Sequence, residues 1–96
     1  MADFKKEAFE LIDRNAQQIG LVGDTIFNFA EVAMQERETC RFLTEVLTEM
    51  GFVVEVGIAG FPTALMATWG SGKPVIAVHS EFDALPSGSQ MAGVTY

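Results

Sequence analysis

Apolar residues at Phe4, Ala8, Leu11, Ile12, Ile19, Val22, Ile26 and Phe29 recur at steps of three, four or seven, and so draw one helical stripe across residues 3–33. Lys5, Lys6, Glu7, Glu10, Asp13 and Arg14 fall mostly off that stripe, as a solvated face requires. Gly20 and Gly23 interrupt it. Each costs about 1 kcal/mol against alanine in a helix interior, so a kink or break is expected between Asn15 and Asp24. The polar stretch from Met34 to Thr39 reads as a connection. Beyond it, Phe42, Leu43, Val46, Leu47 and Met50 form a second stripe that predicts a helix over 38–50. Gly51 follows the last apolar position, where a left-handed residue commonly ends a helix, and Phe52 supplies the apolar contact that accompanies such an end.

Three strands are expected after this point. Residues 52–56 and 63–69 are short apolar or β-branched runs, separated by Gly57, Gly60 and Pro62. Gly70-Ser71-Gly72-Lys73-Pro74 is a turn that launches a third strand over 74–80. Its run Val75-Ile76-Ala77-Val78 is continuously apolar, the pattern of a strand covered on both faces. The Ser- and Gly-rich stretch over 86–96 reads as a loop. The order helix, helix, strand, strand, strand makes this an α/β chain holding one domain's worth of elements over residues 1–96. Its helices cover one sheet face well, so the expected sheet is incomplete.

Composition narrows the class of function. At 96 residues and 49% hydrophobic, the chain is one small domain at most and too apolar to be disordered. Six Lys and Arg against 13 Asp and Glu give a formal charge of −7, the wrong sign for a nucleic-acid backbone or an anionic membrane surface. No run approaches the roughly 20 apolar residues that span a bilayer, and the start of the chain has no signal-peptide pattern. The single cysteine, Cys40, excludes an internal disulfide and a thiolate-rich zinc site, and it suits a reducing compartment. A cytoplasmic protein is the expectation. An uncovered sheet face with free edges further predicts self-association into a homo-oligomer.

Candidate chemistry lies at the end of the third expected strand. His79, Glu81 and Asp83 alternate there, so in a continuing strand their side chains share one face at spacings of about 7 Å. Their nitrogen and oxygen donors suit a divalent metal such as zinc or manganese, and strand ends are where open α/β sheets place their sites. The same residues also serve as ordinary strand-end solvation and capping. Cys40 lies on the second helix, with His79 as its only conceivable base, and reads as a buried or half-buried helical thiol. Lys73 follows a Gly-Ser-Gly turn, but Pro74 stands where a phosphate loop would start its helix. Phe27, Phe29, Phe42, Phe52, Phe61 and Trp69 coincide with the periodic stripes or apolar runs and are expected to fill a core.

The stretch from Gly51 to Val94 resembles the opening of the aminoacylase and carboxypeptidase-type metallohydrolases. In that family a helix pair leads to a strand ending in a His-x-Asp or Asp-x-Asp element, then a small apolar pair and proline. Glu81-Phe82-Asp83-Ala84-Leu85-Pro86 occupies that element. The Gly-Lys-Pro-Val-Ile strand entry and the Ser-Gly-Ser-Gln after Pro86 narrow the likeness to the branch of the aminobenzoyl-glutamate utilisation hydrolases. The resemblance covers the chain from Ile12 onward. It implies the mixed sheet of a metallohydrolase catalytic domain, and hydrolysis of an amide bond in an N-acyl amino acid or a dipeptide-like substrate.

By the same resemblance, two divalent metals bridge an activated water while a glutamate acts as general base. Asp83 matches the family aspartate that sits beside the metal centre and helps orient a ligand. Glu81 stands where other branches place a metal-binding histidine, and His79 falls outside the motif. The family's main ligands come from a Gly-His-Gly-Cys-Gly-His-like or His-Ala-Cys-Gly-His-like loop, a Glu-Glu pair and further histidines, none of which this sequence contains. The 96-residue chain alone is therefore expected neither to bind the metals nor to be active. A non-catalytic oligomerisation or interaction module on the same scaffold is the alternative.

Overall fold

The structure, a computed structural model, describes residues 3–85. Helix α1 spans Phe4–Arg14, α2 spans Ala16–Phe29 and α3 spans Arg37–Glu49. Strand β1 (Val53–Val56) and strand β2 (Leu65–Thr68) follow, with a 3₁₀ turn at Ile58–Gly60 between them.

The Asp3 side chain starts α1 by accepting the Lys6 N–H at 3.0 Å. The expected interruption of the first helical stretch occurs at Asn15, ahead of both glycines. The Asn15 amide donates to the Leu11 carbonyl at 2.8 Å, and this local bond competes with the helical ladder. Gly20 and Gly23 lie inside an unbroken α2. Residues 3–20 are exposed throughout, so the apolar stripe of α1, from Phe4 to Ile12, has no cover among the described residues.

Helix α3 ends as its sequence predicts. Phe52 N–H donates to Leu47 O and Gly51 N–H to Thr48 O, both at 3.0 Å, with Gly51 at φ +97°. Two carbonyls of the last turn thereby gain partners, in the left-handed conformation that glycine adopts without penalty. The turn delivers the chain into β1, which pairs antiparallel with β2 in the register Val53↔Thr68 to Val56↔Leu65. The sheet packs on α3, and α3 meets α2 through Phe29 and Phe42, whose rings lie edge to face at 6.1 Å. Phe61 and Trp69 remain exposed and do not fill a core.

The expected three-stranded sheet is corrected to two strands, because residues 74–80 form none. Hydrophobicity on both faces makes a strand only where a neighbour completes the ladder and layers cover both sides. None of the described elements does so here, and Val75, Ile76 and Val78 are 84–88% exposed. The loop expected over 86–96, with Pro86 of the motif, lies outside the described residues. None of the described helices is long and apolar enough to cross a membrane.

Candidate functional site

The best-buried positions of the described chain are Thr39, Cys40, Thr63 and Ala84, and they lie around a polar cluster. Its centre is Glu31. Helix α2 ends at Ala30 in the left-handed conformation (φ 47°, ψ 44°), which turns the chain out of the helix. The Glu31 side chain then reaches the N-terminus of α3. One carboxylate oxygen accepts Glu38 N–H at 2.9 Å, and the other accepts Thr39 N–H and the Thr39 hydroxyl, both at 2.7 Å. These amides have no partner within the helix, so an acceptor with negative charge satisfies both the hydrogen bonds and the helix dipole. Glu36, at the N-cap position itself, makes no cap bond. Its carboxylate instead accepts the Thr63 hydroxyl at 3.0 Å and ties α3 to the segment before β2.

The motif residues attach to this cluster from the other side. Ala84 N–H donates to the Glu31 carbonyl at 2.7 Å, and Val32 and Ala84 form an isolated parallel bridge. Exposure alternates along 81–85, with Phe82 half-buried and Ala84 buried, while Glu81, Asp83 and Leu85 face outward. Glu81 and Asp83 are both exposed, in a segment that does not form the continuing strand on which a shared face was expected. His79 is also exposed, in a stretch without regular structure.

Asp83 lies on the rim of a cleft of about 210 Å³ between the C-terminal half of α2 and residues 82–84, with Phe27, Ala30 and Glu31 opposite. A second, larger cleft of about 550 Å³ runs along α3 beside Arg37 and Arg41 and contains none of the motif residues. Two groups near the polar cluster titrate away from their ordinary values. Partial burial pushes Glu31 up, but the hydrogen bonds from Thr39 and Glu38 outweigh it and hold the carboxyl below its usual range. Burial pushes the Cys40 thiol up against a hydrogen bond to Thr44, and the negative charges of Glu36 and Glu31 add to the rise. A thiol in that setting is a poor nucleophile.

A divalent metal requires three or so converging donors. Among the described residues no three His, Cys, Asp or Glu side chains come together as such a group. The donor set described does not fit a metal, and no step is derived through one. Glu31 is the residue that periodicity does not mark. It follows the end of one stripe and precedes the next, and the partners that define it lie seven and eight positions away. Its only sequence signal is an acidic residue upstream of a helix whose own N-cap is a poor capping type.

Comparison of the sequence with known proteins adds one finding to this geometry. Over 84 residues, or 88% of the chain, the sequence is 34% identical to one of the subunits of the p-aminobenzoyl-glutamate hydrolase of Escherichia coli (strain K12), in agreement with the aminobenzoyl-glutamate branch. A matched stretch of that length in a chain of 96 residues necessarily includes residues 13–84, and hence Glu81 and Asp83. The chain spans 18% of the length of this curated relative. No family profile matches the chain. No solved structure matches it.

Proposed function

We propose that this chain contributes part of a hydrolase that cleaves amide bonds in N-acyl amino acids or aminobenzoyl-glutamate-like substrates, with Asp83 beside the reacting centre. The observation that carries this reading is the 34% identity to a hydrolase subunit over 84 residues. The setting of Asp83 supports it. The carboxylate is exposed on the rim of a cleft, while the next residue, Ala84, is buried and hydrogen-bonded, so the backbone is held where the side chain is free to meet a ligand. In this reading Asp83 orients a group that takes part in the reaction, with Glu81 and then His79 the next candidates to lie near it. The resemblance also implies a zinc or manganese ion. The described residues alone do not make up its ligands, so turnover by the isolated chain is not expected.

The test is release of p-aminobenzoate from p-aminobenzoyl-glutamate by the protein made from the whole reading frame that carries this sequence. Release is expected, with Asp83→Asn lowering it about 10–100-fold, the order of loss when a group that positions a reacting partner is removed. Absence of release from this and other N-acyl amino acids, or an Asp83→Asn variant as active as the wild type, overturns the reading. That the relative is itself a subunit of a hydrolase supports an assembly of more than one chain. One observation favours the second reading, an interaction module: the exposed apolar run of Val75, Ile76 and Val78. Sedimentation velocity distinguishes the two, because a module of that kind forms a stoichiometric oligomer without hydrolytic activity.

A further inference from the structure

We infer that Glu31 is a positioning residue for Asp83, coupling the N-terminus of α3 to the motif segment through its two ends. The inference rests on the proposed placement of Asp83 beside the reacting centre. One end is the backbone carbonyl, which accepts Ala84 N–H at 2.7 Å, one residue beyond Asp83. The other end is the carboxylate, which takes three hydrogen bonds from Glu38 and Thr39. The bond to Glu31 belongs to the isolated Val32–Ala84 bridge, which is the one piece of backbone pairing that ties residues 71–85 to the rest of the described chain. The N-cap residue Glu36 is engaged with Thr63 and leaves the first amides of α3 to Glu31.

Burial shows where the coupling concentrates. Thr39 is fully buried beneath the carboxylate, and Ala84 is buried beneath the carbonyl, in a molecule where few other side chains are. Glu31 and Asp83 also line the same 210 Å³ cleft, so a change in the path of residues 30–32 alters the wall that faces Asp83. When the carboxylate is removed, two helix amides and one hydroxyl lose their acceptor, and the 31–36 connection loses the tie that fixes its direction. The Ala84 bond loosens even though its own acceptor is a backbone atom that the substitution leaves in place.

The experiment is amide hydrogen exchange by NMR on the 96-residue chain, comparing wild type with Glu31→Ala, Glu31→Gln and Thr39→Val. In Glu31→Ala, exchange at Glu38, Thr39 and Ala84 is expected to rise about tenfold or more, as when charge-assisted hydrogen bonds are lost, with a smaller change in the β1–β2 ladder. Thr39→Val keeps the carboxylate and removes one donor, so the Ala84 rate should rise about threefold while the fold is retained. The Asp83 carboxyl carbon resonance should move in Glu31→Gln while those of Asp13 and Asp24 stay in place, which a general loss of stability does not produce. Faster exchange at Thr39 with Ala84 unchanged, or a uniform rise at all amides in every variant, overturns the inference. The readout is an exchange rate and not turnover. Coupled Ala84 exchange in a protein that hydrolyses no N-acyl substrate would leave Glu31's role intact and refute only the placement of Asp83.

Discussion

Replacing Ala30 with glycine should stabilise the protein, against the usual rule that glycine at a helix end costs conformational entropy. Ala30 sits at φ 47° and ψ 44°, where the Cβ of an L-residue crowds the following carbonyl. That conformation costs an alanine about 1–2 kcal/mol, and Ala30→Gly removes the cost. The added freedom of glycine in the unfolded chain returns about 0.4–1 kcal/mol. Ala30 is exposed, so little apolar contact is lost, and its N–H bond to Ile26 O at 3.3 Å remains available to glycine. The net gain is about 0.5–1 kcal/mol, which for a domain of this size is about 2–8 °C in Tm. Urea unfolding followed by far-UV circular dichroism measures it as a higher midpoint at unchanged slope. Ala33→Gly, at an exposed neighbour outside the left-handed region, should be neutral or destabilising. A midpoint for Ala30→Gly at or below wild type, or an equal gain at Ala33, refutes the reasoning.

Acid should weaken the fold through Glu31. Its folded-state carboxyl lies below the usual value of 4.5, so its contribution is present above that value and is lost as pH falls through the lower folded one. Unfolding midpoints measured from neutral pH downward should show this loss, and it should shrink in Glu31→Gln. Thr63→Val removes a buried hydroxyl that donates to the Glu36 carboxylate and should cost about 1.5–3 kcal/mol by chemical unfolding. Cys40 is buried with a raised thiol pKa, so labelling by a thiol reagent at neutral pH should run at least about tenfold slower than for an unfolded control. Labelling of the folded protein at the control rate would contradict the burial of Cys40.

Local signals were legible where the physics is local. The end of α3 at Gly51 and Phe52 follows from one glycine and one apolar neighbour, because both hydrogen bonds of that turn join residues three to five positions apart. The break in the first helical stretch falls at Asn15, at the edge of the expected range, but its cause is not the glycines that suggested it. A side-chain amide at Asn15 that bonds Leu11 ends a helix more effectively than Gly20 or Gly23, whose cost the ladder around them absorbs. The run Val75 to Val78 has the composition of a strand, yet a strand is a relation between two segments, and composition cannot supply the second. At the candidate site, the alternation of Glu81 and Asp83 was visible in the sequence. Glu31 was not, since its importance comes from partners on a different helix and from a carbonyl, which every residue possesses.

The double attachment of Glu31 also bears on which insertions and deletions the chain can accept. Residues 32–36 form a surface connection, the kind of segment that ordinarily gains or loses residues freely. Here its two ends are fixed to each other by a carboxylate that must reach an amide eight positions on. Closing a slightly longer loop costs little entropy, but an extra residue must be looped out without disturbing the three hydrogen bonds by which the Glu31 carboxylate holds the first turn of α3. Natural variants of this sequence should therefore vary freely in side chain at an exposed position such as Gln35, yet keep the count from Glu31 to Thr39 fixed. In this segment, length rather than composition is the inherited quantity.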